Sequence, residues 1–254
     1  MKLKDQVAIV TGGGGVLGGA IARKLAADGA KLFLFDIRAK YAEKNVAEIV
    51  AAGGSAVPVG LDITQAEEVR KQVDTIASDY GRIDILVNCA GGSARKKMKY
   101  FHEQSLDVIR DVIGMNLFGT IHCAHAVSRH MVEAGSGKII NIGSAVGVNG
   151  LEKSVDYAAA KGAIISGTRA LAKELGPHGI NVNCVSPGIV LRDPVDDPDS
   201  FARRHSYLNR LCTPDDIAAL VHFLTLPEAS FIVGQNYVVD GGRTLAMMGS
   251  NPRS

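Results

Sequence analysis

Short runs of apolar residues alternate with longer, Ala-rich amphipathic segments along most of the 254 residues. Most of the short runs are apolar throughout, which is the pattern of strands covered on both faces. The segments between them have the length and periodicity of helices. The predicted strands are Val7–Val10, Lys31–Phe35, Ala56–Val59, Ile83–Val87, Lys138–Ile142, Ile180–Val185 and Tyr237–Val239, and the predicted helices include Leu17–Asp28, Tyr41–Ala52, Thr64–Tyr80 and Val155–Leu175.

Strands and helices that alternate at this spacing join through right-handed crossovers. The sequence therefore predicts the α/β class: a Rossmann-type, doubly wound, seven-stranded and mainly parallel sheet with helices on both faces. No linker or change of composition divides the chain, so we expect a single domain over residues 1–254. Thr64 with Glu67 predicts a capping box, and Thr213 followed by Pro214 predicts the start of another helix.

Composition argues against several function classes. The formal net charge is +2, too small to indicate binding to nucleic acid or to a membrane. No run of about 18 apolar residues and no signal-peptide pattern is present, so we expect a cytoplasmic protein. The four cysteines form no CxxC pair and the seven histidines show no ligand spacing, so we predict no catalytic metal.

A glycine-rich loop stands between the first predicted strand and the first predicted helix. Glycine lets the backbone approach a pyrophosphate closely, and the helix N-terminus supplies free N–H groups beside the positive end of the helix dipole. Four consecutive glycines are entropically costly for a mere turn, which favours ligand binding. The predicted cofactor-binding residues of this loop are Gly12, Gly14, Gly15, Val16 and Leu17.

An acidic residue, Asp36, closes the second predicted strand about 20 residues beyond the glycines. At this position a carboxylate can bond a ribose 2′-hydroxyl and would repel a 2′-phosphate. The sequence therefore predicts NAD in preference to NADP, although Arg38 two residues on could soften that preference.

Further short motifs follow one another along the strand–helix order: TGGGGVLG at Thr11–Gly18, LDI at Leu61–Ile63, NCAG at Asn88–Gly91, MN at Met115-Asn116, IGS ending at Ser144, YAAAK at Tyr157–Lys161 and SPG at Ser186–Gly188. With these motifs the chain resembles the classical short-chain dehydrogenase/reductase family from Val7 to Gly242. The resemblance implies an enzyme that moves a hydride between a secondary alcohol and the matching ketone with a nicotinamide dinucleotide, in a homotetramer.

The resemblance also implies the roles of individual residues. Asn116, Ser144, Tyr157 and Lys161 match the catalytic tetrad of the family, with Asn116 placing a water that relays protons to Lys161. For the cofactor, Asp62 and its neighbour Ile63 are implied at the adenine, and Lys161 at the nicotinamide ribose. Tyr157 also borders the cofactor. The remaining implied cofactor contacts are Asn88, Ala90, Gly91, Pro187, Gly188 and Val190.

Two positions depart from the family pattern. Val16 stands where a glycine is usual, so the loop is expected to have a different shape while still binding phosphate. The residues after Gly188 are Ile189-Val190-Leu191-Arg192, without the threonine that often bonds the carboxamide of the cofactor. Backbone groups near Val190 would then supply that contact.

Tyr157 and Lys161 lie four residues apart on a predicted helix and therefore share one face. A tyrosine is a poor base at neutral pH because its ordinary pKa is about 10. A neighbouring ammonium and a positive nicotinamide would favour the phenolate. Tyr157 could then take the hydroxyl proton, while Ser144 binds and orients the substrate oxygen.

The stretch from about residue 187 to 211 is the one irregular segment, and it follows the carboxyl end of a strand, where such sheets bind ligands. We therefore expect a lid over the substrate, although a plain surface excursion would show the same composition. Arg95 and Arg192 are candidate substrate contacts, because a basic rim could attract a hydroxy acid or a phosphorylated polyol. A solvated charged loop is the simpler alternative. The expected substrate is a small polar hydroxy compound: a sugar, a polyol or a hydroxy acid.

Two other functions stay open. An NADPH-dependent 3-oxoacyl-[acyl-carrier-protein] reductase would use the same catalytic set, but Asp36 argues against it. A non-catalytic, dinucleotide-binding redox sensor would have no need of Ser144, Tyr157 and Lys161. Nucleic-acid binding has no support, because no basic stripe with interleaved aromatic residues is present.

Overall fold

Seven parallel strands form the centre of the computed structural model, which describes residues 1–94, 97–191 and 195–245. They are β1 (Val7–Thr11), β2 (Lys31–Asp36), β3 (Ser55–Gly60), β4 (Ile85–Asn88), β5 (Gly137–Ile142), β6 (Ile180–Pro187) and β7 (Asn236–Val239). Their order in the sheet is β3-β2-β1-β4-β5-β6-β7, and every neighbouring pair is parallel. The chain thus winds outward from β1 in one direction and from β4 in the other, which confirms the predicted doubly wound fold.

Helices cover both faces of the sheet. They are α1 (Val16–Ala27), α2 (Ala39–Ala51), α3 (Ala66–Tyr80), α4 (Leu106–Ile113), α5 (Gly119–Ala134), α6 (Ala145–Asn149), α7 (Val155–Leu175), α8 (Pro198–His205) and α9 (Pro214–Thr225). A single π-helical turn at Gly114–Phe118 joins α4 to α5.

The core lies on both sides of the sheet, as continuous apolar strands require. Along β1, Ala8 and Val10 pack in the cluster that contains α1 and α9, whereas Val7 and Ile9 pack in the cluster that contains α3 and α5. Successive side chains of a strand point to opposite faces, so a strand without alternation must be covered twice. Helices therefore cover the central strands on both faces.

One predicted helix start is wrong. Thr64 does not cap α3; its hydroxyl donates to the Asp62 carboxylate at 2.8 Å, and its backbone N–H donates to the same oxygen at 2.9 Å. The helix begins two residues later, at Ala66, and Gln65 in the N-cap position makes no side-chain cap. The physical reason is competition: a carboxylate two residues earlier forms a tight local turn that takes both donors of Thr64.

The predicted start of α9 is confirmed. Thr213 is the N-cap, Pro214 is the first helical residue, and Thr213 and Asp216 exchange the two hydrogen bonds of a capping box. Asp216 also receives two bonds from the guanidinium of Arg210, each of 2.7 Å. Those bonds come first among the causes that lower the pKa of the Asp216 carboxyl far below its ordinary value of 3.8.

The segment after β6 returns to the sheet. Val190 forms an isolated parallel bridge with Cys212, and α8 lies between these two residues. The predicted lid begins at Pro187, which is the last residue of β6, and the described part of this segment reaches over the carboxyl edge of the sheet.

We predict that Asp216→Asn lowers the free energy of unfolding by about 1 kcal/mol at neutral pH, the usual worth of a helix cap. The exposed pair with Arg210 adds little because water screens it. Since the pKa of Asp216 is lower in the folded chain, its contribution is complete above 3.8 and is lost as the pH falls below that value. Urea unfolding at several pH values measures the difference.

The matched control is Asp215→Asn, an exposed acid in the same helical turn. It should destabilise less than Asp216→Asn, because only the dipole interaction is lost. A difference between wild type and Asp216→Asn that stays constant from pH 7 down to pH 3 would contradict the assignment.

Candidate active site

Two cavities adjoin at the carboxyl ends of β1, β4, β5 and β6. The first has a volume of about 510 Å³ and the second about 670 Å³. They share three lining residues, Ser144, Tyr157 and Gly188. Ligand binding at this edge is typical of open parallel sheets, because the strand ends there point into a crevice. We call the first the cofactor cavity and the second the substrate cavity.

Almost all of the predicted cofactor residues line the cofactor cavity. Those that do are Gly12, Gly14, Gly15, Val16, Leu17, Asp36, Asp62, Ile63, Ala90, Gly91, Tyr157, Lys161, Pro187, Gly188 and Val190. Asn88 is the exception, because it is buried beneath the cavity. Its amide donates to Asn141 at 2.9 Å, and Asn141 donates to Thr168 at 3.0 Å, so the side chain links β4 to β5 and α7.

The glycine-rich loop is shaped to receive a phosphate group. A Cβ at Gly18 would lie 2.2 Å from the carbonyl oxygen of Gly12, so only glycine allows the loop to fold back on the first turn of α1. Gly15 is the N-cap and Val16 the first helical residue. The departure at Val16 therefore leaves the loop intact: its side chain is half-exposed and its N–H belongs to the free end of the helix. These residues fit the pyrophosphate of a dinucleotide.

Asp36 is held in place in the wall of the cofactor cavity, at the end of β2. Its carboxylate accepts the N–H of Gly14 at 3.0 Å and that of Ile37 at 2.9 Å. Each oxygen keeps a further acceptor site, so the side chain can still bind a hydroxyl group. The guanidinium of Arg38 lies over the ring of Tyr41 at 5.8 Å, and Arg38 is not among the residues that line the cavity.

The candidate catalytic residues come from β5 and α7. Ser144 follows β5 by two residues and caps the short helix α6, where its Oγ accepts the N–H of Val146 at 3.1 Å. Lys161 is almost fully buried, and its ammonium donates to the carbonyl of Ile142 at 2.8 Å. The same ammonium lies 5.8 Å from the ring centroid of Tyr157. The arrangement places a hydroxyl, a phenol and a cation on one wall.

Asn116 lies in the π-helical turn and is completely buried. Its amide oxygen accepts the N–H of Gly92 at 3.0 Å, and its amide nitrogen donates to the carbonyls of Gly92 and Val112 at 3.0 Å and 2.8 Å. The extra residue of a π-turn is a common device at functional sites, since it redirects one side chain out of the helical register. Here it directs Asn116 to the loop that carries Gly91 past Lys161.

Apolar side chains form most of the wall of the substrate cavity. They come from the loop after β4, from the region of α6, and from the segment after β6: Met98, Ala145, Val146, Leu151, Ile189, Leu191, Val195 and Phe201. Described residues of the segment after β6 therefore line the substrate cavity, and its role as a lid stays a prediction. The sequence analysis missed these walls, because nothing local marks an apolar residue as cavity-lining rather than core.

The basic rim expected from the sequence is only partly described. Arg95, Lys96 and Arg192 lie outside the described residues, as does the chain beyond residue 245. Arg203 and Arg204 are exposed on α8 and are not among the residues that line the cavity. The sequence analysis also missed Arg243, whose side chain does line it. The available signal was its position just after the last strand of the sheet, at the carboxyl edge.

The cysteines are small buried or half-buried side chains. Burial raises the pKa of Cys123 to about 12 and also raises that of Cys184. Across residues 1–94, 97–191 and 195–245, no three His, Cys, Asp or Glu side chains converge as a metal site would require. In the same ranges no helix combines the length and apolarity needed to cross a membrane.

Known proteins match this chain over most of its length. A protein-family profile described as "Enoyl-(Acyl carrier protein) reductase" matches residues 15–244. The short-chain reductase protein NovJ of Streptomyces niveus is 41% identical over 94% of both chains. A 3-oxoacyl-[acyl-carrier-protein] reductase of Synechocystis sp. is 37% identical over 96% of this chain and 98% of its own. The D-threitol dehydrogenase of Mycolicibacterium smegmatis is 34% identical over 96% and 95%.

These matches extend over nearly the whole chain. The chain belongs to the classical short-chain dehydrogenase/reductase family. It is an oxidoreductase that acts on CH–OH groups, and the cofactor of this family is a nicotinamide dinucleotide.

We predict that Gly147→Ala reduces kcat by about 100-fold, the scale of loss for reacting groups displaced by about 1 Å. A Cβ at Gly147 would lie 2.7 Å from the carbonyl carbon of Lys161, so α6 and α7 must separate and Ser144 must move away from Tyr157. Steady-state kinetics with saturating cofactor measures the effect.

Gly167→Ala on α7 is the matched control, because its Cβ would meet nothing within 4 Å among the described residues. It should keep full activity and raise stability slightly, since alanine favours helices. If both variants keep wild-type kcat, the close approach of α6 to α7 does not set the catalytic geometry.

Proposed function

We propose that the protein is an NAD-dependent dehydrogenase that interconverts a secondary alcohol and the matching ketone, with Tyr157 as the acid/base. The observation that carries the proposal is the shared wall of the two cavities, where Ser144 and Tyr157 face both the dinucleotide side and the substrate side. A group at this wall can contact a substrate oxygen while the reacting carbon faces the cofactor.

The reaction removes two hydrogens from a carbinol: a hydride from carbon and a proton from oxygen. The chemistry that a bound nicotinamide supplies is acceptance or donation of the hydride. Ser144 binds the substrate oxygen and orients it, and the phenolic oxygen of Tyr157 takes its proton or returns it in the reverse direction. The ammonium of Lys161 favours the phenolate by its charge, because it lies 5.8 Å from the tyrosine ring in a buried setting.

The buried acceptor of Lys161 also fixes the direction in which that side chain extends. Its ammonium donates to the carbonyl of Ile142, which holds it at the end of β5, and we expect it also to contact the ribose of the dinucleotide. Asn116 supports this arrangement through the loop at Gly91 and Gly92. Its two amide N–H groups are already committed to backbone carbonyls, so the relay water that the family resemblance implies stays a prediction.

Asp36 supports NAD as the preferred dinucleotide. Its carboxylate lines the cofactor cavity where the second strand ends, and two backbone N–H groups hold it there. A 2′-phosphate at this place would meet a fixed negative charge, whereas a 2′-hydroxyl would find an acceptor. Arg38, which could have attracted a phosphate, lies instead against Tyr41.

A second candidate function is NADPH-dependent reduction of a 3-oxoacyl-[acyl-carrier-protein]. The relative from Synechocystis sp. bears that name, and the apolar walls of the substrate cavity would accept a short acyl chain. Asp36 argues against the cofactor of that reaction. Turnover of a 3-oxoacyl thioester with NADPH, in excess of any reaction with NADH, would favour this candidate.

Assembly as a homotetramer is part of the same proposal. Two aromatic or branched side chains, Phe118 and Ile121, are about half-exposed on the outer side of α5 and the turn before it. Exposed apolar groups on one helix support contact with another copy of the chain. The number of copies stays a prediction.

We predict that Tyr157→Phe lowers kcat by about 100- to 10,000-fold, the usual worth of a general acid/base, while the affinity for NADH stays within about threefold of wild type. Quenching of NADH fluorescence measures binding, and absorbance of reduced nicotinamide measures turnover. Tyr80→Phe is the matched control, because that ring packs against Phe33, away from both cavities. Equal and negligible turnover by wild type and Tyr157→Phe, with NADH still bound, would favour the redox sensor.

We predict that Asp36→Asn raises the KM for NAD by about 10- to 100-fold, which corresponds to the loss of one charge-assisted hydrogen bond. The KM for NADP should fall, because the fixed negative charge is gone. Asp79→Asn, an exposed acid on α3, should change neither constant. A wild-type enzyme that already prefers NADP would contradict the proposed cofactor.

A further inference from the structure

Arg243 lies in the wall of the substrate cavity and has no part in the catalytic set described above. It follows β7 in a short 3-10 turn, Arg243–Leu245. Within residues 1–94, 97–191 and 195–245, it is the only charged side chain that lines this cavity. A single cation on otherwise mainly apolar walls is a feature that determines which ligand the cavity accepts.

The guanidinium of Arg243 is incompletely satisfied. Its Nη1 atom is buried and finds no hydrogen-bond partner in the part of the chain that the structure describes. Burial also lowers the pKa of this side chain, an effect that the charge of Asp240 partly opposes. A buried N–H donor without an acceptor is unfavourable, because the group has left water without a replacement. The side chain as a whole is half-buried and lines the cavity, so an anion there would meet its positive charge.

The nearest candidate partner in the chain, Asp240, is engaged elsewhere. One oxygen of its carboxylate accepts the N–H of Gly242 at 2.8 Å, and the other accepts the N–H of Thr244 at 2.7 Å. These bonds shape the turn from which Arg243 extends. No ion pair between Asp240 and Arg243 is present among the described residues, so Asp240 acts on the arginine only through its charge and through the shape of the turn.

We propose that Arg243 is the specificity-determining residue of the substrate cavity, and that it binds a carboxylate carried by an apolar-bodied secondary alcohol or ketone. One guanidinium balances one negative charge and matches the planar fork of a carboxylate. The inference rests on the proposed function, since it names the substrate class of that same site.

The fold also places the carboxylate at a distance from the reacting carbon. Ser144 follows β5 and Arg243 follows β7, and β6 lies between these strands. Two strand spacings separate the chain at these points by about 10 Å. The arginine side chain can span part of this distance, so a 5-oxo acid and a 2-oxo acid together probe how far the carboxylate lies from the reacting carbon.

The test compares four ketones in reduction by NADH: 5-oxohexanoate, its neutral amide 5-oxohexanamide, 2-oxohexanoate and 2-hexanone. Wild type should reduce 5-oxohexanoate with a kcat/KM about 30-fold or more above the amide, the loss expected when a buried charge is left unpaired. Arg243→Met should bring the ratio of kcat/KM for the acid and the amide close to one, because the KM for the acid rises. Arg110→Met, which removes an exposed arginine on α4, should keep the wild-type ratio.

Arg243→Lys is the control for a folding defect in Arg243→Met, because lysine keeps the positive charge but cannot form the two parallel hydrogen bonds of a guanidinium. It should retain part of the preference for the acid. Equal kcat/KM for the acid and the amide in wild type would overturn the inference, as would an unchanged ratio in Arg243→Met. If either result is found and wild type still reduces 2-hexanone, the inference about Arg243 fails while the proposed dehydrogenase function stands.

A binding measurement tests the inference independently of turnover. Titration calorimetry with hexanoate and hexanamide, each added to the protein with saturating NAD, should show binding of hexanoate at least about 30-fold tighter in wild type. Arg243→Met should lose that difference. Equal binding of the two compounds, or none of either, would overturn the inference. Binding of hexanoate without turnover of any ketone would instead refute the dehydrogenase and leave the carboxylate site in place.

Discussion

The hydrogen bond from the ammonium of Lys161 to the carbonyl of Ile142 is the interaction on which the site depends. Ile142 ends β5 and Lys161 lies in the second turn of α7, so one bond ties the edge of the sheet to the catalytic helix. A buried ammonium needs acceptors close by, because little of its surface is in contact with water. The chain between these two residues, which includes Ser144 and α6, is thereby held at both ends.

Much of the fold follows from local properties of the sequence. Apolar runs without alternation predict strands buried on both faces, and open parallel sheets of such strands bind ligands at their carboxyl ends. Asp36 could be predicted as a site residue from its place at the end of a strand, whereas the prediction for Ser144 rested on the family resemblance. That both line one cavity is a consequence of strand order, which the alternation of strands and helices already implies.

The parts that could not be predicted depend on competition between nearby groups. Thr64 has the sequence of a cap, but the Asp62 carboxylate takes its donors first. Val16 was expected to change the shape of the glycine-rich loop. In the structure it is the first residue of α1, where its half-exposed, branched side chain is tolerated. Arg243 lies in a polar C-terminal stretch, and its place in the cavity wall depends on the turn that Asp240 holds together.

The wall that the two cavities share has a thermodynamic consequence. Ser144, Tyr157 and Gly188 belong to both binding sites, so each ligand meets a surface that the other has already ordered. Affinities coupled through a common surface are linked, and the linkage is reciprocal: whatever factor the dinucleotide adds to substrate affinity, the substrate must add to dinucleotide affinity. Because three residues belong to both sites, the binding equilibria of dinucleotide and substrate are coupled and have to be described together.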